Sequence, residues 1–148
     1  MSESRVLLLA NLVLALFMAG VIWYVQIVHY PLFKDVGREA FPAFHAVHNN
    51  ATTVVVALPM LIELGLAALL VIARPPEMPA LFAVAAFGLV LVIWGATFLI
   101  SVPIHARLSE GGYNITTIDA LVNTNWIRTL AWSARSVLLT IAVFLVMR

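Results

Sequence analysis

Phe41-Pro42-Ala43-Phe44-His45-Ala46-Val47-His48-Asn49-Asn50 stands between a charged segment, Lys34 to Glu39, and a long apolar run, Ala51 to Ala73. Pro42 suits the first turn of a helix, where a missing N–H costs nothing. Phe41, Phe44, His45 and His48 fall at i, i+3, i+4 and i+7, so they share one helical face. Two imidazoles so spaced can hold one metal ion, or one acidic or aromatic ligand. The stretch is too polar to cross a bilayer. It therefore reads as an amphipathic segment on the membrane, or folded over the bundle, between a first and a second span.

The rest of the chain agrees with that division. Of 148 residues, 64% are hydrophobic and only 10% charged, and the mean hydropathy is +1.06. A soluble domain carries about 45–50% apolar and about 25% charged residues. The class expected is an integral membrane protein, with the lipid bilayer as its first partner. A net charge of +1 with no basic stripe sets nucleic acid aside. The absence of cysteine removes disulfides, thiolate metal sites and iron–sulfur clusters.

Four apolar runs each reach the roughly 20 residues that a membrane-crossing helix needs. Span 1 is expected from about Val6 to His29. It is longer than a signal-peptide core and is read as a retained span, with Trp23, Tyr24 and Tyr30 at its interface end and Pro31 stopping it. Span 2 runs from about Ala51 to Ala73 and should be kinked by Pro59. The stiff turn Arg74-Pro75-Pro76-Glu77-Met78-Pro79 makes spans 2 and 3 antiparallel neighbours. Span 3 runs from about Ala80 to Val102 and is closed by Pro103, with Gly88 and Gly95 permitting close helix approach. Thr116-Thr117-Ile118-Asp119 reads as a capping box for a short helix reaching Val122, and the sequon Asn114-Ile115-Thr116 as a chance match. Span 4 runs from about Trp126 to Met147, capped by Thr124 or Asn125. Arg128, Trp132 and Arg135 lie on one face; Arg128 should snorkel to the interface, while Arg135 needs a partner.

The expected fold is thus all-α, a single integral membrane four-helix domain over residues 1–148 with short amphipathic segments in the first and third connections. The order span, proline, amphipathic connection, span occurs twice and hints at a two-fold repeat. With four spans, both termini and the Arg74 turn share one side, and His29, His45, His48 and His105 share the other. The candidate site is a metal centre at the mouth of the bundle, held by these four histidines. Copper, iron or zinc would suit imidazole, and Glu39, Glu110 or Asp119 could complete the shell or orient a ring. Glu63 and Arg135 lie at similar depth in spans 2 and 4. They read either as a buried ion pair or as a catalytic carboxylate and an anchoring cation, with Gln26, Trp94 and Thr97 lining the same cavity.

Several segments, taken together, resemble the anthrone-oxygenase-like family of small four-helix membrane proteins. They are Ala19-Gly20-Val21 leading to Tyr30-Pro31-Leu32; Thr97 with Val102-Pro103-Ile104-His105-Ala106-Arg107-Leu108; and Asn125-Trp126-Ile127-Arg128-Thr129. The likeness covers most of the chain as an order of short motifs. His105 stands where that family usually has Asn, and His45-x-x-His48 is not among its features. The resemblance implies a four-span bundle, a bacterial inner-membrane setting and oxygenation of an aromatic substrate. The function expected is a metal-dependent membrane oxidoreductase or oxygenase acting on a lipophilic small molecule. The alternative is a non-catalytic accessory subunit of a larger membrane complex, pigment- or haem-associated, or a homo-oligomer. An ion carrier is disfavoured, because four short spans offer little polar lining. Arg5, Arg74 and Arg148 on one side nearly balance Lys34, Arg38, Arg107 and Arg128 on the other; cytoplasmic termini are the expectation.

Overall fold

A computed structural model describes residues 2–148. The described chain is helical and has four helices long and apolar enough to cross a membrane. Helix α1 spans Glu3–Tyr24 and continues through a wide π turn, Val25–His29, into a 3-10 turn, Pro31–Asp35. Helix α2 spans Phe41–Ala73. Helix α3 spans Ala80–Ala96 and passes through a second π turn, Thr97–Ser101, into α4, Val102–Gly111. Helix α5 spans Ile115–Val146. Around the bundle α1 packs on α2, α2 on α3, α3 on α5 and α5 on α1. Helices α2 and α5 therefore face each other across the middle.

Three sequence expectations about helix ends are corrected. Neither Pro31 nor Pro103 stops its helix. Each follows two residues after a wide π turn, which absorbs the missing N–H and the ring's clash with the preceding turn. The amphipathic stretch from Phe41 is not a separate connection. It is the first three turns of α2, and Asn49-Asn50 do not interrupt it. A 33-residue helix is about 50 Å long, against a hydrocarbon core of about 30 Å, so a polar end can project beyond the lipid. Likewise α5 begins at Ile115, not Trp126. Its cap is Asn114, whose Oδ1 accepts from the Thr117 amide at 3.0 Å; Thr124 and Asn125 lie inside the helix.

The glycine expectation also fails. A Cβ added at Gly88 or Gly95 would meet nothing within 4 Å, so neither marks a close helix crossing. Pro59 lies inside α2 without ending it.

The buried apolar residues form two clusters, stacked along the bundle. One, near the termini, holds Leu7, Leu8, Leu70, Met78, Leu139 and Val146. There Arg5 pairs with Glu77 at 2.9 Å, which fixes the chain start beside the 74–79 turn. The other holds Ile22, Phe33, Phe41, Leu108, Ile118 and Trp132 and closes the opposite end. The outward faces are apolar: Val54, Ile72, Leu81 and Leu99 are each more than 70% exposed, as lipid-facing side chains of an integral membrane protein would be. Helix α5 is the least apolar of the four and the most buried, so its polar residues turn inward.

Across the middle, α5 and α2 meet through charge. Arg135 Nη1 donates to Glu63 Oε1 at 2.7 Å, and both side chains are fully buried. Trp132 Nε1 donates to Glu63 Oε2 at 3.0 Å, and Arg135 Nη2 donates to Asn11 Oδ1 at 2.8 Å. Asn11 in turn donates to the carbonyls of Leu7 and Leu66. The pair expected from depth alone is therefore formed, and its remaining bonding capacity is largely filled from α1 and α5.

Candidate functional site

All four histidines lie together at the end of the bundle away from the termini. The two π turns and the projecting start of α2 bring them there. His29 ends the first π turn, His105 sits one turn beyond the second, and His45 and His48 share the inner face of α2. Ring centroids are 4.7 Å apart for His29 and His48, 5.3 Å for His45 and His105, and 5.3 Å for His48 and His105. Phe33, carried in by the 3-10 turn and fully buried, meets the rings of His29, His45 and His48 edge-on, and Phe41 stacks on His45 at 5.5 Å. Ion pairing of Lys34 with Asp119, and a bond from Tyr113 Oη to the Lys34 carbonyl, tie that turn to α5 and its approach.

The ring nitrogens meet in two pairs. His29 Nε2 lies 2.7 Å from His48 Nδ1, and His45 Nε2 lies 3.0 Å from His105 Nδ1. Among the described residues, no three histidine or carboxylate groups surround one point as a ready metal cage. Glu39 and Glu110 are exposed, and Asp119 is taken by Lys34. None of the three carboxylates completes a shell here, contrary to expectation.

One hydrogen-bonded chain leads away from the second pair. Arg128 Nη2 donates to Tyr30 Oη at 3.2 Å, and Tyr30 Oη lies 3.0 Å from His105 Nε2. Guanidinium only donates, so Tyr30 Oη accepts from Arg128 and still offers a proton and a lone pair toward His105 Nε2. His105 Nδ1 faces His45 Nε2, and His45 Nδ1 lies 3.2 Å from Ser109 Oγ. The chain therefore has two tautomers: with Tyr30 donating, His105 carries its proton on Nδ1; with Tyr30 accepting, His105 carries it on Nε2 and leaves Nδ1 free.

Beside the rings opens a cavity of about 370 Å³, lined on its polar side by Tyr30, His48, Thr52, Ser101, His105 and Arg128. Glu63 and Arg135 do not line it. Of the three residues expected beside that pair, Thr97 lines the histidine cavity instead. Gln26 is engaged with Asn125 and the Val122 carbonyl, and Trp94 borders an adjoining hollow.

Sequence reasoning missed Tyr30 and Arg128. Tyr30 reads as an interfacial aromatic, and Arg128 as a snorkelling cation. In the fold Tyr30 is 3% and Arg128 8% exposed. The signal was available: Arg128 shares a helical face with Arg135, and a face that buries one guanidinium in the bundle buries the other. No protein-family model, curated protein or solved structure matches this chain.

Proposed function

We propose that the four histidines are the ligand set of one transition-metal ion, and that the protein is a membrane oxidoreductase or oxygenase acting on a lipophilic substrate in the adjoining cavity. The reading is carried by the two nitrogen pairs at 2.7 and 3.0 Å beside that cavity. Two imidazole nitrogens on a tetrahedral ion at about 2.0–2.1 Å stand about 3.3–3.4 Å apart, so each pair needs only a small opening and ring turn to share a metal. The set is all nitrogen, which suits copper, iron or zinc. Copper or iron would supply one-electron chemistry toward the substrate, zinc only polarisation.

The chain's own part is orientation. With a metal bound, His105 Nε2–H would donate to Tyr30 Oη and His45 Nδ1–H to Ser109 Oγ, so both rings would be oriented from outside the ligand set. Phe33 and Phe41 keep water from one side of the rings. In this reading Glu63 and Arg135 hold α2, α1 and α5 together and do not touch substrate.

Copper or zinc, titrated calorimetrically into the full chain in detergent at neutral pH, is expected to bind at one ion per chain through unprotonated imidazoles and to be released in strong acid, once the rings protonate. No uptake at neutral pH, or uptake undiminished in His45→Ala and His48→Ala, would reject the histidines as ligands. A protein that takes up no metal favours a second reading from the hydrogen-bonded chain: Tyr30, His105, His45 and Ser109 pass protons between the cavity and the exposed end of α4.

A further inference from the structure

Arg128 is a cation without a counter-charge. Its side chain is 92% buried, being 8% exposed. Its only partners are neutral: Nη2 donates to Tyr30 Oη and to Asn125 Oδ1, and its buried Nε has no partner. Among the described residues no carboxylate pairs with it, in contrast to Arg135 about two turns deeper. An unpaired charge inside a membrane protein is costly and is retained where something else meets it.

What meets it is constrained by the cavity that Arg128 lines. The polar side adds the hydroxyls of Tyr30, Thr52 and Ser101, the Asn49 amide and the His48 and His105 rings, so Arg128 supplies its one permanent charge. From there an adjoining hollow of about 290 Å³ runs between α2 and α3, sharing Val56, Thr97 and Val102 with the first and adding Leu61, Trp94 and Phe98. Leu61 is 57% and Phe98 54% exposed, so this part opens on the lipid-facing surface. The space therefore has one cationic end and one apolar end continuous with the bilayer.

We propose that Arg128 is an anion-binding residue and that the cavity takes the carboxylate of a long apolar acid, with the chain lying between α2 and α3. A carboxylate carries the one negative charge that one arginine neutralises, and it can accept from the guanidinium N–H groups that Tyr30 and Asn125 leave free. In the metal-free protein a phosphate dianion would outweigh the one permanent positive charge that lines the cavity. This names the substrate class of the cavity described above. It rests on that reading only for the acid being a substrate; binding itself needs no metal.

The test uses the full chain in phosphatidylcholine nanodiscs after chelator treatment. The probe is 9,10-dibromostearic acid, whose bromines quench tryptophan; Trp94 borders the cleft. The acid is expected to quench at a mole fraction at least about tenfold lower than its methyl ester, which matches it in everything but charge. Arg128→Gln should abolish that difference, and Arg128→Lys should keep part of it. Equal quenching by acid and ester in the unaltered protein, which needs no variant to fold, overturns the proposal. So does an undiminished acid preference in Arg128→Gln. Displacement of the probe by octadecyl phosphate more readily than by stearate would overturn the choice of carboxylate. Because the protein is metal-free, acid preference persists even if no metal ever binds the histidines. A bound metal with no acid preference would sink this proposal alone.

Discussion

Glu63→Gln is expected to destabilise the folded bundle by about 3–5 kcal/mol, whereas Glu63→Gln combined with Arg135→Met should recover a substantial part of that loss. The reason lies in where the charges sit. Both side chains are fully buried at the centre of the bundle, between helices that otherwise scarcely touch. Removing the Glu63 charge leaves the Arg135 guanidinium buried in the bundle with only the neutral oxygens of Asn11 as partners. Removing both leaves Asn11 Oδ1 short of a donor, a smaller cost of about 1–3 kcal/mol. Unfolding in mixed micelles, followed by tryptophan fluorescence, measures the cycle, and Trp132 is itself bonded to Glu63. Equal loss in the single and double variants would mean that the two charges do not stabilise one another.

His45→Ala and His48→Ala should each weaken metal binding by more than about 100-fold, while Ser109→Ala should weaken it by about 10–100-fold or less. The ranking follows from position. His45 and His48 present ring nitrogens to His105 and His29 respectively, so each removes one member of a nitrogen pair. Ser109 meets the far nitrogen of His45, and accepts from Asn49 Nδ2, so it acts on the site through the His45 ring. Tyr30→Phe belongs with Ser109, since its hydroxyl holds the outer nitrogen of His105. Competition with a chelator of known affinity reads the constants directly. Loss of metal in Ser109→Ala as large as in His45→Ala would show that ring orientation, not ligation, had been disturbed. No loss in either histidine variant would remove α2 from the site.

The fold was legible in the sequence because the bilayer simplifies the problem. An apolar run of sufficient length has one available structure, and the count of runs then fixes which connections share a side. That threading alone gathers His29, His45, His48 and His105 at one end. The Glu63–Arg135 pair was readable for the same reason: two ionisable groups at like depth have few other partners. Helix ends were not readable. Pro31 and Pro103 look like terminators unless a π turn precedes them, and nothing in Val25–His29 or Thr97–Ser101 announces a wide turn. Nor does composition reveal that α2 and α5 run for 33 and 32 residues, longer than a bilayer crossing needs, which is why Phe41 and Ile115 begin helices that hydropathy alone would start later. Tyr30 and Arg128 were missed because interfacial tyrosine and snorkelling arginine are the ordinary fates of those residues near a span end. Only the packing of α1 against α5 turns both inward.

The pairing of nitrogens leaves one question with a direct answer: how many imidazoles surround a bound ion. X-ray absorption at the metal edge, on the full chain loaded with one equivalent of copper or zinc, counts them through multiple scattering from the rings. Three or four imidazoles at about 2.0 Å are the expected result. A first shell of water or carboxylate oxygen with one imidazole or none, or protein that holds less than one ion per chain, would contradict a shared histidine centre.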